Sequence, residues 1–149
     1  MTIPDPHTVE AWTSLFRASQ ALLDGVESGL KAHGLPQLSW YDALLEIEKA
    51  GADGIRPFEL KERLLLPQYG TSRLLDRVAK AGLITREDVE TDGRGQIVRL
   101  TEKGRDTRKA MWPIYAGALI TLIQSRISPS ELAELNRLLH KITPARPKA

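Results

Sequence analysis

Phe58-Glu59-Leu60-Lys61-Glu62-Arg63-Leu64, followed after Leu65-Leu66-Pro67 by Gln68-Tyr69-Gly70-Thr71-Ser72-Arg73-Leu74-Leu75-Asp76-Arg77-Val78-Ala79-Lys80, decides how this chain is read. In the first run Leu60 and Leu64 recur at a helical interval. Pro67 interrupts it, because proline disfavours helical geometry in the residue before it and suits the start of a new helix. The second run predicts a helix over about 68–80, with Leu74, Leu75 and Val78 turned inward and Tyr69, Thr71, Ser72, Arg73 and Arg77 outward. Gly82 then supplies the left-handed position that closes a helix.

Two strand-like runs follow, Leu83 to Val89 and Gln96 to Thr101, on either side of the turn Thr91-Asp92-Gly93-Arg94-Gly95. Two short helices and then a hairpin with a basic tip make a winged helix-turn-helix, a shape that reads nucleic acid.

Upstream, residues 1–7 read as an extended arm. Val9, Trp12, Leu15, Phe16, Leu22, Leu23, Val26 and Leu30 then predict an amphipathic helix from Thr8 to about Ala32. Gly25 and Gly29 weaken it and suggest close packing against a partner. After His33-Gly34-Leu35-Pro36, Ser39 is the expected cap of a second helix, with Asp42 three residues on and Gly51 at its end.

Downstream of the hairpin, Thr101 is a cap for a long helix reaching about Arg126, kinked where Pro113 removes a backbone donor. Ser128-Pro129-Ser130-Glu131 is a capping box with proline at the first helical position. Leu132, Leu135, Leu138, Leu139 and Ile142 line one face of the helix it opens. Segments 8–32, 109–126 and 129–142 carry more apolar face than a small winged domain can cover, so pairing between chains is expected. The fold class is therefore mainly α with a small β-wing. An N-terminal dimerisation helix (1–35), a winged helix-turn-helix DNA-binding region (36–108) and C-terminal dimerisation helices (109–149) make up the chain.

Composition bounds the function. A chain of 149 residues with 42% hydrophobic content can bury a core. It has no cysteine, which removes disulfides, thiol-based redox sensing and thiolate metal sites. His7, His33 and His140 lack ligand spacing, so no metal is expected. No apolar run approaches the ~20 residues that span a bilayer, and the N-terminus lacks a basic-then-apolar leader. A cytoplasmic protein without membrane contact is the resulting expectation. No Ser-His-Asp order, phosphate-binding glycine loop or facing carboxylate pair appears, so no catalytic residue and no cofactor is expected. The net charge is +2 overall, but −5 over 1–60, +4 over 61–109 and +3 over 110–149, so positive charge gathers where the fold places DNA.

Ser72-Arg73-Leu74-Leu75-Asp76-Arg77, Gly82-Leu83-Ile84, Asp92-Gly93-Arg94-Gly95 and Val98-Arg99-Leu100-Thr101-Glu102-Lys103-Gly104-Arg105 resemble, in that order and spacing, the MarR family of bacterial transcription regulators. The resemblance implies a homodimer that binds a pseudo-palindromic operator in double-stranded DNA, repression as the default, and a short third strand at Ile55-Arg56. It also implies that Arg94 enters the minor groove while Asp92 orients it, and that Arg73, Asp76 and Arg77 are partly structural.

With that docking, Gln68, Tyr69, Gly70, Thr71, Ser72, Arg73, Arg77 and Arg94 are the candidate DNA-binding residues. Gln68 suits adenine, Arg73 guanine or phosphate, Thr71 a thymine methyl and Ser72 phosphate or base. Tyr69 suits sugar and phosphate, and Arg77 phosphate. Gly70, costly inside a helix, would permit close approach to the backbone.

Family members often bind small aromatic or phenolic acids between dimer helices and reading head. That makes Trp12, Phe16, Trp40, Tyr41, Trp112 and Tyr115 candidate effector-pocket residues, with the acid placed near Trp12 and Trp40 and paired with an arginine. Aromatic residues at helical spacing serve equally well as core. The competing function is a winged-helix protein-interaction or architectural DNA-binding module without effector response.

Overall fold

The computed structural model describes residues 1–67, 70–89 and 95–145. Among the described residues, six α-helices and one antiparallel hairpin are ordered α1 (Pro6–Ala32), α2 (Leu38–Ala50), α3 (Pro57–Arg63), α4 (Thr71–Lys80), β1 (Ile84–Val89), β2 (Gly95–Leu100), α5 (Glu102–Leu119) and α6 (Pro129–Ile142). A single-turn 3-10 segment, Gly51–Asp53, follows α2, and a π-helical segment, Ile120–Gln124, extends α5.

Helix α2 is the hub because it is buried on two sides. Its Ala43, Leu44 and Ile47 join Leu60 and Leu64 from α3 and its exit, Leu74, Leu75 and Val78 from α4, and Ile84 and Val98 from the hairpin in one core. Its Leu38 and Tyr41 join Val26 and Leu30 from α1 and Met111 from α5 in a second. Fully burying each such aliphatic side chain contributes about 1.5–3 kcal/mol, so both cores hold α2 firmly and the reading head is braced on α1 and α5.

The hairpin register pairs Ile84 with Leu100, Arg86 with Val98 and Val89 with Gly95. Ile55 adds an isolated antiparallel bridge to Val98, with Ile55 N donating to Val98 O at 3.0 Å and Val98 N to Ile55 O at 2.8 Å. The expected third strand is thus a single bridging residue.

Four local expectations are corrected. Helix α1 starts at Pro6, because the Asp5 carboxylate accepts from His7 N at 2.7 Å and caps it, so only residues 1–4 of the expected arm precede the cap. Ser39 does not cap α2. That helix begins at Leu38, whose N–H donates to Glu27 Oε1 of α1 at 2.6 Å, while Asp42 instead accepts from Leu66 N at 2.8 Å. Gly70 is not inside the recognition helix but is the N-cap residue of α4, where its carbonyl accepts from Leu74 N at 3.0 Å. Glycine is well tolerated there. Finally, the neighbour that Gly25 admits is in the same chain: a Cβ at Gly25 would lie 2.7 Å from Leu122 Cδ1.

Other signals are met as read. Gly82 has φ +81° at the end of α4. The Thr101 hydroxyl accepts from Gly104 N at 3.0 Å. In the capping box, Ser128 N donates to Glu131 Oε1 at 2.8 Å and Glu131 N to Ser128 Oγ at 3.1 Å.

Candidate nucleic-acid interface

Helix α4 buries Leu74, Leu75 and Val78 and exposes Ser72, Arg73, Asp76, Arg77 and Lys80. The inward leucines at adjacent positions fix the rotation of the helix, and with it which side chains face water. Among the described residues neither Arg73 nor Arg77 has an ion-pair partner. Asp76 does. Its carboxylate holds Arg86 of β1, whose Nε also donates to Gln96 Oε1 of β2 at 3.1 Å. The one acidic side chain on the outward face of α4 therefore ties that helix to the wing strands and is matched by a cation.

Thr71 opens α4, and its Oγ1 is buried without a hydrogen-bond partner among the described residues. Gln68, Tyr69, Arg94 and Asp92 lie outside the described residues. Between α3, α4 and the wing strands lies an open cavity of about 630 Å³, lined by Arg56, Lys61 and Arg86 among others. Arg56, Lys61 and Arg86 were not singled out from sequence. Their shared signal is basic character beside the helix-turn-helix, which one-dimensional spacing does not resolve into a common wall.

The aromatic candidates separate into three places. Trp12 and Phe16 pack on each other on α1, with ring centroids 6.0 Å apart, and both are exposed. Trp12 precedes Val26 of the second core by 14 residues, which is ~21 Å along a helix axis. Trp40 packs against the winged-helix core and lines a shallow cleft with Arg77. Tyr41, Trp112 and Tyr115 come together: Tyr41 stacks near Trp112 at 6.2 Å, and Tyr115 meets Tyr41 edge-on at 5.1 Å and Trp112 at 5.7 Å.

This trio lines a cleft of about 510 Å³ between α2, α5 and the segment joining α3 to α4, completed by Asp42, Glu46, Arg63 and apolar neighbours such as Leu66. Burial, then the charges of Tyr41 and Asp42, push the Tyr115 phenol up. Behind Tyr41, burial works against the charge of Arg108, but hydrogen bonding to Glu48 and Tyr41 outweighs it and raises its pKa. Asp42 and Arg63 escaped the sequence reading because Ser39-x-x-Asp42 looks like a cap pair and Arg63 like ordinary helix surface.

Among the described residues no group of three or more His, Cys, Asp or Glu side chains could hold a metal ion, and no helix is long and apolar enough to cross a membrane.

Comparison with known proteins points the same way as the geometry. Residues 33–95 match the family model described as MarR family. The chain is 29% identical over 121 residues to the transcriptional repressor MprA of Escherichia coli strain K12, covering 81% of this chain and 68% of that one. Sco3205, a MarR family transcriptional regulator of Streptomyces coelicolor solved in complex with DNA, superposes with a TM-score of 0.84 at 21% identity, over 95% of this chain and 89% of its own. The organohalide-sensing regulator RdhR-CbdbA1625 in its 2,4-dichlorophenol-bound form gives 0.78 at 20% identity, over 95% and 85%. The chain thus has the fold of the MarR-family winged helix-turn-helix regulators it superposes on, and its residues 33–95 carry the match to that family.

Proposed function

We propose that the protein is a homodimeric repressor that binds a pseudo-palindromic operator in double-stranded DNA and is released by a small aromatic ligand. The observation that carries the DNA reading is the outward face of α4, where Ser72, Arg73 and Arg77 stand exposed and both arginines lack an ion-pair partner among the described residues. Arg73, early in α4, reads a base or grips phosphate at the N-terminal end that enters the major groove, and Arg77, one turn on, anchors phosphate. Gln68, Tyr69 and Arg94 join them on the strength of the sequence, Arg94 by entering a narrow minor groove.

Self-association is supported by apolar side chains left in water. Val9, Trp12, Leu15 and Phe16 on α1, Ile120 after α5, and Leu135, Leu138 and Ile142 on α6 are all exposed, and α6 has no buried residue. An amphipathic helix whose apolar face stays largely in water calls for a partner. A second copy supplies the same helices, so the flanks 1–35 and 109–149 serve dimerisation and 36–108 serves reading. The ligand site in this reading is the cleft over Tyr41, Trp112 and Tyr115, whose walls belong to both the reading head and α5.

Binding measured at several salt concentrations tests the DNA contacts. Arg77→Ala is expected to weaken binding to all sequences alike and to lower the salt slope by about 1, and Arg73→Ala to relax discrimination at one half-site position as well. Affinity that ignores salt, or that survives both changes together, points to a protein-interaction module instead.

A further inference from the structure

Helix α5 is held at its two ends by different parts of the molecule. Its start is fastened to the turn that closes the recognition helix: the Thr101 hydroxyl donates to Gly82 O at 2.7 Å and Lys103 Nζ to Ala81 O at 2.9 Å. Gly104 lies so close to Leu83 O that a Cβ would meet it at 2.1 Å. Arg105 and Arg108 add their shared hold on Glu48 of α2. The far half lies against α1 instead. A Cβ at Gly29 would stand 3.6 Å from Ile114 Cγ2, and one at Gly25 2.7 Å from Leu122 Cδ1.

Between these holds the outer face of α5 is weakened twice. Pro113 lies inside the helix and has no N–H for the carbonyl of Lys109, four residues back. Gly117 follows one turn on, on the same face, and both are exposed. Gly25 and Gly104 each make room for a close neighbour, whereas a Cβ at Gly117 meets nothing within 4 Å among the described residues. Glycine there loosens the helix relative to alanine without a packing gain. The opposite face stays packed, with Met111 buried in the second core and Tyr115, Ala118 and Leu122 against it. A helix anchored on one side and short of a hydrogen bond on the other bends about its packed side.

We propose that Pro113 and Gly117 form a hinge in α5 that sets the separation of the two recognition helices in the dimer. The proposal rests on the homodimer of the reading above, in which the far halves of α5 stay with the paired flanks and the near halves travel with α4. Gly104 precedes Pro113 by nine residues, which is ~13 Å along the axis. A bend of ~10°, half of what counts as a sharp kink, carries the fastened end of α4 by ~2 Å, and two chains bending together change the separation by ~4 Å. That freedom lets the paired reading heads adjust to the spacing of two half-sites.

Pulsed dipolar electron paramagnetic resonance on the full chain tests this. The sequence has no cysteine, so Lys80→Cys, at the exposed end of α4 away from the end that enters the groove, places one nitroxide on each chain and one label pair in each dimer. The label–label distance distribution of this parent is expected to be broader by ~4 Å than that of Pro113→Ala, which restores the missing donor. Gly117→Ala should narrow it less, and the double variant most. Both positions are exposed and alanine favours helix, so the cores stay intact, and Gly117→Ala keeps the test open should Pro113→Ala fail to fold. Equal widths throughout would overturn the hinge while leaving the dimer in place. A shifted mean at unchanged width would show a fixed kink and overturn it as well. Loss of the dipolar signal on Gly117→Ala alone would make Gly117 a contact with the partner chain and overturn the two-residue hinge. No dipolar signal in the parent would overturn the homodimer itself and the hinge with it.

Discussion

Arg108 of α5 holds Glu48 of α2 with more than one guanidinium nitrogen, Nη2 lying 3.3 Å from Oε1 and Nε paired with Oε2. Arg105, one turn earlier on α5, reaches the same carboxylate at 3.5 Å. Two cations on α5 thus converge on a single acid at the C-terminal half of α2, on the seam between reading head and flanking helices. Glu48→Ala would remove the acid that both guanidinium groups share, leaving Arg108 its hydrogen bond to Tyr41. A loss of about 1–3 kcal/mol in urea unfolding is expected, larger than for removing Arg105 alone, because unmatched charge costs more than a lost contact.

Gly104 marks where α5 crosses the end of the recognition unit. A Cβ there would sit 2.1 Å from Leu83 O, a backbone atom that cannot rotate away. Gly104→Ala is therefore expected to lower stability by about 1–3 kcal/mol despite alanine's preference for helices, since the helix start or the Leu83 strand entry must shift. Thermal unfolding of this variant beside Gly117→Ala, where a Cβ meets nothing within 4 Å, separates the clash from the propensity gain.

The start of α6 titrates. The Glu131 carboxyl is held below its ordinary value by hydrogen bonds from Ser128, backbone first and then side chain, and Glu134 is lowered by Arg137. Both are lower folded than unfolded, so their contribution is present above the ordinary glutamate range and is lost as pH falls through the lower folded values. Helix α6 is expected to lose order first as pH drops below about 4, followed by amide resonances of 128–132. Glu131→Gln should remove the Glu131 share of that pH dependence and Ser128→Ala only its smaller side-chain part, and an α6 equally ordered at acid pH would show that the capping box contributes little.

Signals local to one element were legible in the sequence because their physics is local. Gly82, Thr101 and the Ser128–Glu131 box needed only the residues beside them, and the Leu74, Leu75 and Val78 stripe set the orientation of α4. Contacts between distant segments were not legible. Glu27 caps α2 from a different helix, and Asp42, spaced as if to form a cap, turns instead to Leu66. Aromatic spacing likewise predicted one pocket, whereas the ~100° step between neighbouring helical positions sends Trp40 to one core and Tyr41 to the other.

The most direct measurement is footprinting of the purified protein on genomic fragments it selects, with the number of chains per bound fragment determined by ultracentrifugation. Two chains on a site of two inverted half-sites, spaced about one DNA turn or roughly 10–10.5 base pairs centre to centre, is the expected result. One chain per site, or protection without symmetry or sequence preference, would contradict a dimeric operator-reading repressor.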